Sequence, residues 1–154
     1  IAEGNIPFFT SSIPFSSESL TDAISKYLNI SLKEAERIKI DRGISEADND
    51  PGILKSVEPS LEVLVGEITK TMDFYSNMEK TGKEVGRIIL CGGGANLKGI
   101  LPYLAKKINK EIEEGDPWVN INFGSNLPPI SKEKSAGYAT VVGLAIRGAE
   151  KDEY

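Results

Sequence analysis

A chain of 154 residues suits one domain or two small lobes and is long enough to bury a core. Its net charge of −5, with Lys106, Lys107 and Lys110 cancelled locally by Glu111, Glu113 and Glu114, argues against a module that grips duplex nucleic acid. With no His and the single Cys91, neither an intramolecular disulfide, a zinc site nor a His-based triad can be built, and no catalytic or metal-ligating set is expected.

The composition, 40% hydrophobic and 27% charged, is that of an ordinary globular protein. No apolar run approaches the ~20 residues that span a bilayer, and no signal peptide is visible, so a cytosolic chain is expected. The opening "IAEGNIPFFTSSIPF" reads as a hairpin entered partway, with Ile1-Ala2, a turn at Glu3-Gly4-Asn5, and a strand or two over residues 6–15. A terminal hairpin needs a sheet to join, which suggests a fragment whose preceding strands are missing.

Ser19-Leu20-Thr21-Asp22 resembles a capping box, and Leu20, Ala23, Ile24, Tyr27 and Leu28 form a helical stripe behind it. Ser31-Leu32-Lys33-Glu34 is a complete capping box. Its helix runs through Leu32, Ala35 and Ile38, with Gly43 as the residue that ends it. After an acidic, turn-rich loop at 44–52, the longest helical pattern is expected over 58–80, with Pro59 in its first turn and Gly82 ending it.

Next comes "RIILCGGGANLKGILPYL": an apolar strand at 86–91, a glycine loop at 92–96 and a helix over about 97–110. Cys91 in that strand reads as a small buried hydrophobe. Residues 113–123 predict a turn and then a strand around Trp118 to Ile121. A last helix is expected over 133–147, ended by Gly148. Ala136, Gly137, Ala139, Gly143 and Ala145 make it rich in small residues, so something should approach it closely. The order of elements is an α/β layout with a helical insertion.

The glycine loop bears three readings. A dinucleotide fingerprint has two of its three glycines, Gly92 and Gly94, but Leu97 replaces the third, and Asp116 precedes the expected strand instead of ending it. A P-loop requires a terminal Gly-Lys-Ser/Thr, and Lys98-Gly99-Ile100 does not supply it. The remaining choice is a loop whose bare peptide planes face a nucleotide's flat surface or sugar, or a plain tight turn, and the residues alone leave these level.

A family resemblance tips that balance. "IILCGGGANLKGI" resembles the adenosine motif of the actin-like ATPases, the group that includes actin, the heat-shock chaperone ATPase domain, the division family FtsA and the type IV pilus assembly family PilM. "IPFFTSSIPFSSESLTDAI", "SLKEAERIKIDRG" and "SAGYATVVGLAIRG" are similar, in the same order, to the hairpin and helix, the Glu/Lys helix and the closing helix of PilM and FtsA. The short, polar 44–57 stretch favours PilM over FtsA, which has a small sheet there.

The resemblance covers nearly the whole chain and implies an actin-like (ribonuclease H-like) second lobe. Its α/β core would be 1–17 and 84–150, and its helical inserted subdomain 18–83. It implies ATP as ligand, with magnesium in the longer protein. Gly92, Gly93, Gly94 and Ala95 would line the adenosine pocket, with Asn96 near the base. Glu36 would bond the ribose hydroxyls, and Lys39 would lie along the ribose or base. The i, i+3 spacing sets both on one helix face.

The phosphate loops of the family lie upstream of anything Ile1 resembles. The chain alone is therefore expected to bind adenosine weakly and not to hydrolyse ATP. The implied setting is type IV pilus assembly, peripheral to the inner membrane. A PilN-like membrane protein would bind through the other lobe, and self-association is possible. The alternative is an FtsA-like lobe used for protein interaction or polymerisation.

Overall fold

A computed structural model describes residues 1–4, 6–44, 51–78, 83–119, 121–122, 130 and 132–151. The chain opens with β1 (Ala2–Glu3) and β2 (Ile6–Pro7), paired antiparallel with Glu3 opposite Ile6. The expected longer strand over 6–15 does not form; Pro7, which has no N–H to donate, is its last paired residue. Instead the segment folds back on itself, the Phe8 and Phe9 amides both donating to the Ile1 carbonyl, at 3.0 and 3.1 Å.

Helix α1 (Ser17–Leu28) starts one turn earlier than its sequence suggests. Ser16 is the N-cap and accepts from the Ser19 amide, while the Ser19 hydroxyl donates back to the Ser16 carbonyl. Asn29, left-handed at φ 54°, closes it. Helix α2 (Leu32–Arg42) is capped as expected, Ser31 accepting from the Glu34 amide and Gly43 ending the helix at φ 67°.

Helix α3 (Pro51–Met78) is longer than expected at its start. Pro51, and not Pro59, stands at the first helical position, where a missing N–H costs nothing. Pro59 lies inside the helix, and burial of Ile53, Val57 and Leu61 at four-residue spacing carries the helix through it. The expected stop at Gly82 lies outside the described residues, as do residues 45–50 of the acidic loop.

Strand β3 (Arg87–Leu90) leads through the glycine loop to α4 (Ile100–Ile108) and back to β4 (Glu111–Glu114). The two strands are parallel, with Ile88 opposite Ile112 and Leu90 opposite Glu114. The returning strand was expected at 118–121, but it is Glu-Ile-Glu-Glu, charged as exposed edge strands often are. Trp118 and Val119 instead sit in a turn whose Asp116 carboxylate accepts from the Trp118 amide at 2.9 Å.

The sheet buries only one face. Leu90 and Ile112 pack on the core, while Arg87, Ile89 and Cys91 alternate outward. Cys91 is therefore exposed and not buried, although the backbone of Gly115 lies close against its sulfur.

The chain ends in α5 (Lys132–Ser135), a 3-10 turn (Ala136–Tyr138) and α6 (Ala139–Lys151), which runs through Gly148 instead of stopping there. One core joins the helical segment to the βαβ unit: Leu20 and Ile24 of α1, Ala35 of α2, Ile53, Val57 and Leu61 of α3, and Ile100 and Leu104 of α4. Glu62 on α3 reinforces the α3–α4 contact by accepting from Tyr103 and Lys107.

Candidate functional site

The glycine loop leaves β3 at Gly92, whose φ of +91° is a conformation L side chains avoid. Gly93–Asn96 then wind into one 3-10 turn, with the Ala95 amide donating to Gly92 and the Leu97 amide to Gly94. A second left-handed glycine, Gly99 at φ 87°, delays α4 to Ile100, three residues later than the sequence pattern suggests.

The loop is held from behind. The Gly92 amide donates to the Ala136 carbonyl at 2.7 Å, and Ala95 and Ala136 are both buried. A Cβ on Gly137 would lie 3.6 Å from Asn96 Nδ2 and 3.9 Å from Gly93 Cα. The close approach expected of the last helix is thus found at Ala136-Gly137. It is absent at Gly143, where a Cβ would meet nothing within 4 Å.

The front of the loop is open. Gly93, Gly94 and Asn96 are exposed. Neither Gly93 nor Gly94 has a positive φ, and a Cβ on either would meet nothing within 4 Å. Backbone conformation accounts for glycine at position 92 only; neither strain nor crowding accounts for positions 93 and 94.

Glu36 and Lys39 do share a face of α2, joined at 2.8 Å. Lys39 is buried, however, and turned to α1. Its ammonium donates to the Ser17 carbonyl at 3.0 Å, the Ser17 hydroxyl at 2.7 Å and the Thr21 hydroxyl at 2.9 Å. The Thr21 hydroxyl also bonds Glu36 Oε2. The Lys39 hydrogen bond, then that from Thr21, hold the Glu36 carboxyl below its usual pKa, against the smaller opposing effect of desolvation. Ser17 and Thr21 carry no signal in the sequence that links them to Lys39, because the contact spans 18 to 22 residues.

Helix α2 meets the glycine segment at its C-terminal end. The Ile44 amide donates to the Lys98 carbonyl at 2.8 Å, and the Lys98 ammonium donates to the Asp41 carbonyl. Gly43 lies so close that a Cβ there would fall 2.4 Å from the Lys98 carbonyl oxygen. One joint therefore fixes the Glu36/Lys39 helix against the peptide just after Asn96.

Asp116 follows β4 instead of preceding a strand, which is where a dinucleotide fold would want its acid, but its carboxylate caps the Trp118 turn. Among the described residues no three or more His, Cys, Asp or Glu side chains gather to hold a metal ion. Nor is any described helix long and apolar enough to cross a membrane.

A parallel βαβ unit with an open glycine loop, locked at one joint to a helical segment, defines a mixed α/β protein. Comparison with protein families is specific: the chain belongs to the type IV pilus assembly protein PilM family, which matches residues 2–149. No curated protein matches it in sequence. Among solved structures it is similar to a chain of a PilM-PilN type IV pilus biogenesis complex, with a TM-score of 0.75 and 23% identity. That likeness covers 94% of this chain and 40% of the other, so the chain spans well under half the length of that relative.

Proposed function

We propose that this chain is the actin-like second lobe of a cytosolic, ATP-binding component of type IV pilus assembly, and that it supplies the adenosine half of the nucleotide site. Its α/β core is then 1–17 and 84–150, with 18–83 as a helical insertion. Gly92, Gly93, Gly94 and Ala95 form the floor under the nucleoside, Asn96 stands beside the base, and Glu36 accepts from the ribose hydroxyls. The observation that carries this reading is the open front of Gly93 and Gly94, whose missing side chains the chain itself does not require. The residues suit the nucleoside better than the phosphates: the free loop surface and half-exposed Glu36 are neutral or acidic, and Lys39 is engaged elsewhere. ATP would bring its triphosphate, and magnesium with it, to groups outside this chain.

The similar chain belongs to a PilM-PilN complex, which supports a PilN-like inner-membrane protein as partner of the whole assembly component. That contact is assigned to the other lobe, leaving this one peripheral to the membrane. An NMR titration of the chain with adenosine, AMP and ATP tests the proposal. Amide shifts at 92–96 are expected, with similar affinity for all three ligands and no hydrolysis of ATP. No shift at millimolar adenosine, or magnesium-dependent turnover by the chain alone, would overturn it.

A further inference from the structure

We infer that Lys39 is a positioning residue and not a ligand contact: it pins Glu36 Oε2 so that Oε1 is the single carboxylate oxygen left to accept from the sugar. This rests on the adenosine reading above and sharpens it. An ammonium has three hydrogens. Four oxygens surround that of Lys39: the Ser17 carbonyl, the Ser17 and Thr21 hydroxyls, and Glu36 Oε2, all at 2.7–3.0 Å. The Lys39 side chain is 7% exposed and that of Glu36 46% exposed, so a ligand reaches Glu36 without displacing anything. Reaching Lys39 would require breaking a bond to α1 inside the protein.

Glu36 Oε2 is occupied twice, by Lys39 and by the Thr21 hydroxyl. Oε1 has no partner among the described residues. A carboxylate clamped through one oxygen presents the other in a fixed direction, and its two lone pairs suit vicinal hydroxyls. The consequence is sugar selectivity set by Glu36 and held in place by Lys39.

The test compares adenosine with 2′,3′-dideoxyadenosine by NMR titration of the chain. The wild type is expected to prefer adenosine by about ten- to a hundredfold, the range of a hydrogen bond to a charged group. Lys39→Met should weaken adenosine about tenfold, leave the dideoxy ligand within about twofold, and so collapse the preference. Glu36→Gln should do the same, and the double variant should lose nothing further. Thr21→Val, which removes the second clamp but keeps Lys39, gives a partial loss and covers the case in which Lys39→Met does not fold.

Equal weakening of both ligands by Lys39→Met would make Lys39 a direct contact and overturn the inference, as would an intact preference. If the wild type binds neither ligand, the adenosine reading falls. The clamp is then judged without ligand, from the Glu36 carboxyl titration. Lys39→Met should move that titration up toward the ordinary glutamate value, and an unmoved titration overturns the clamp.

Discussion

Replacing Gly43 by Ala strikes the joint between α2 and the glycine segment. Its φ of +67° costs a residue with a Cβ about 1–2 kcal/mol. The new Cβ would lie 2.4 Å from the Lys98 carbonyl oxygen and 2.5 Å from the Lys98 Cβ, separations that real Cβ atoms do not show. Backbone has to move, which costs about 1–3 kcal/mol more. That movement takes with it the 2.8 Å bond from the Ile44 amide to Lys98, about 1 kcal/mol.

The sum is about 3–6 kcal/mol, set against a total stability of about 5–15 kcal/mol for a domain. Urea unfolding followed by circular dichroism should show the midpoint fall steeply with little change in slope. A loss below about 1 kcal/mol would refute the joint as described, since neither the φ nor the approach to Lys98 could then be real.

Three further outcomes are expected. Leu61→Ala, at a fully buried α3 position in the shared core, should cost about 2–5 kcal/mol in the same urea assay, and a loss under ~1 kcal/mol would mean that the helices do not close on it. Gly66→Ala should do the opposite and raise stability by up to about 1 kcal/mol, because its Cβ enters open space in mid-helix. Acidification should erase the stabilisation due to Glu36. Its folded pKa is depressed below 4.5, so its contribution is full above that value and disappears as pH falls through the lowered one. The stability difference between wild type and Glu36→Gln should therefore shrink on going from about pH 6 to about pH 3, and a difference that widens on acidification contradicts the sign.

The cap at Ser31 and the glycine end at Gly43 were legible because their signals are local: a hydroxyl three residues from the amide it accepts from, and a residue free to take positive φ. The same local logic missed α1's start, because Ser16 and Ser19 are chemically alike, and which of them caps depends on where Leu20 and Ile24 must point. Pro59 was expected in the first turn and Pro51 in the loop before it, but burial of Ile53 and Val57 carries the helix back to Pro51. Strand β4 was invisible because an edge strand with one apolar residue has little period-two signal, whereas Trp118 and Val119 favour strands by propensity and yet form a turn.

By itself, the sequence determined that a strand, a glycine loop and a helix follow one another, that Glu36 and Lys39 share a helix face, and which family carries that order, since each is a matter of spacing along the chain. Only the tertiary structure decided what these features face. It left Gly93 and Gly94 open, exposed Cys91 and closed Lys39 away against α1. The physical reason is range. Caps and periodicity act within a few residues, whereas the acceptors that hold Lys39 lie 18 to 22 residues away and come within reach only when α1 and α2 pack around a common core.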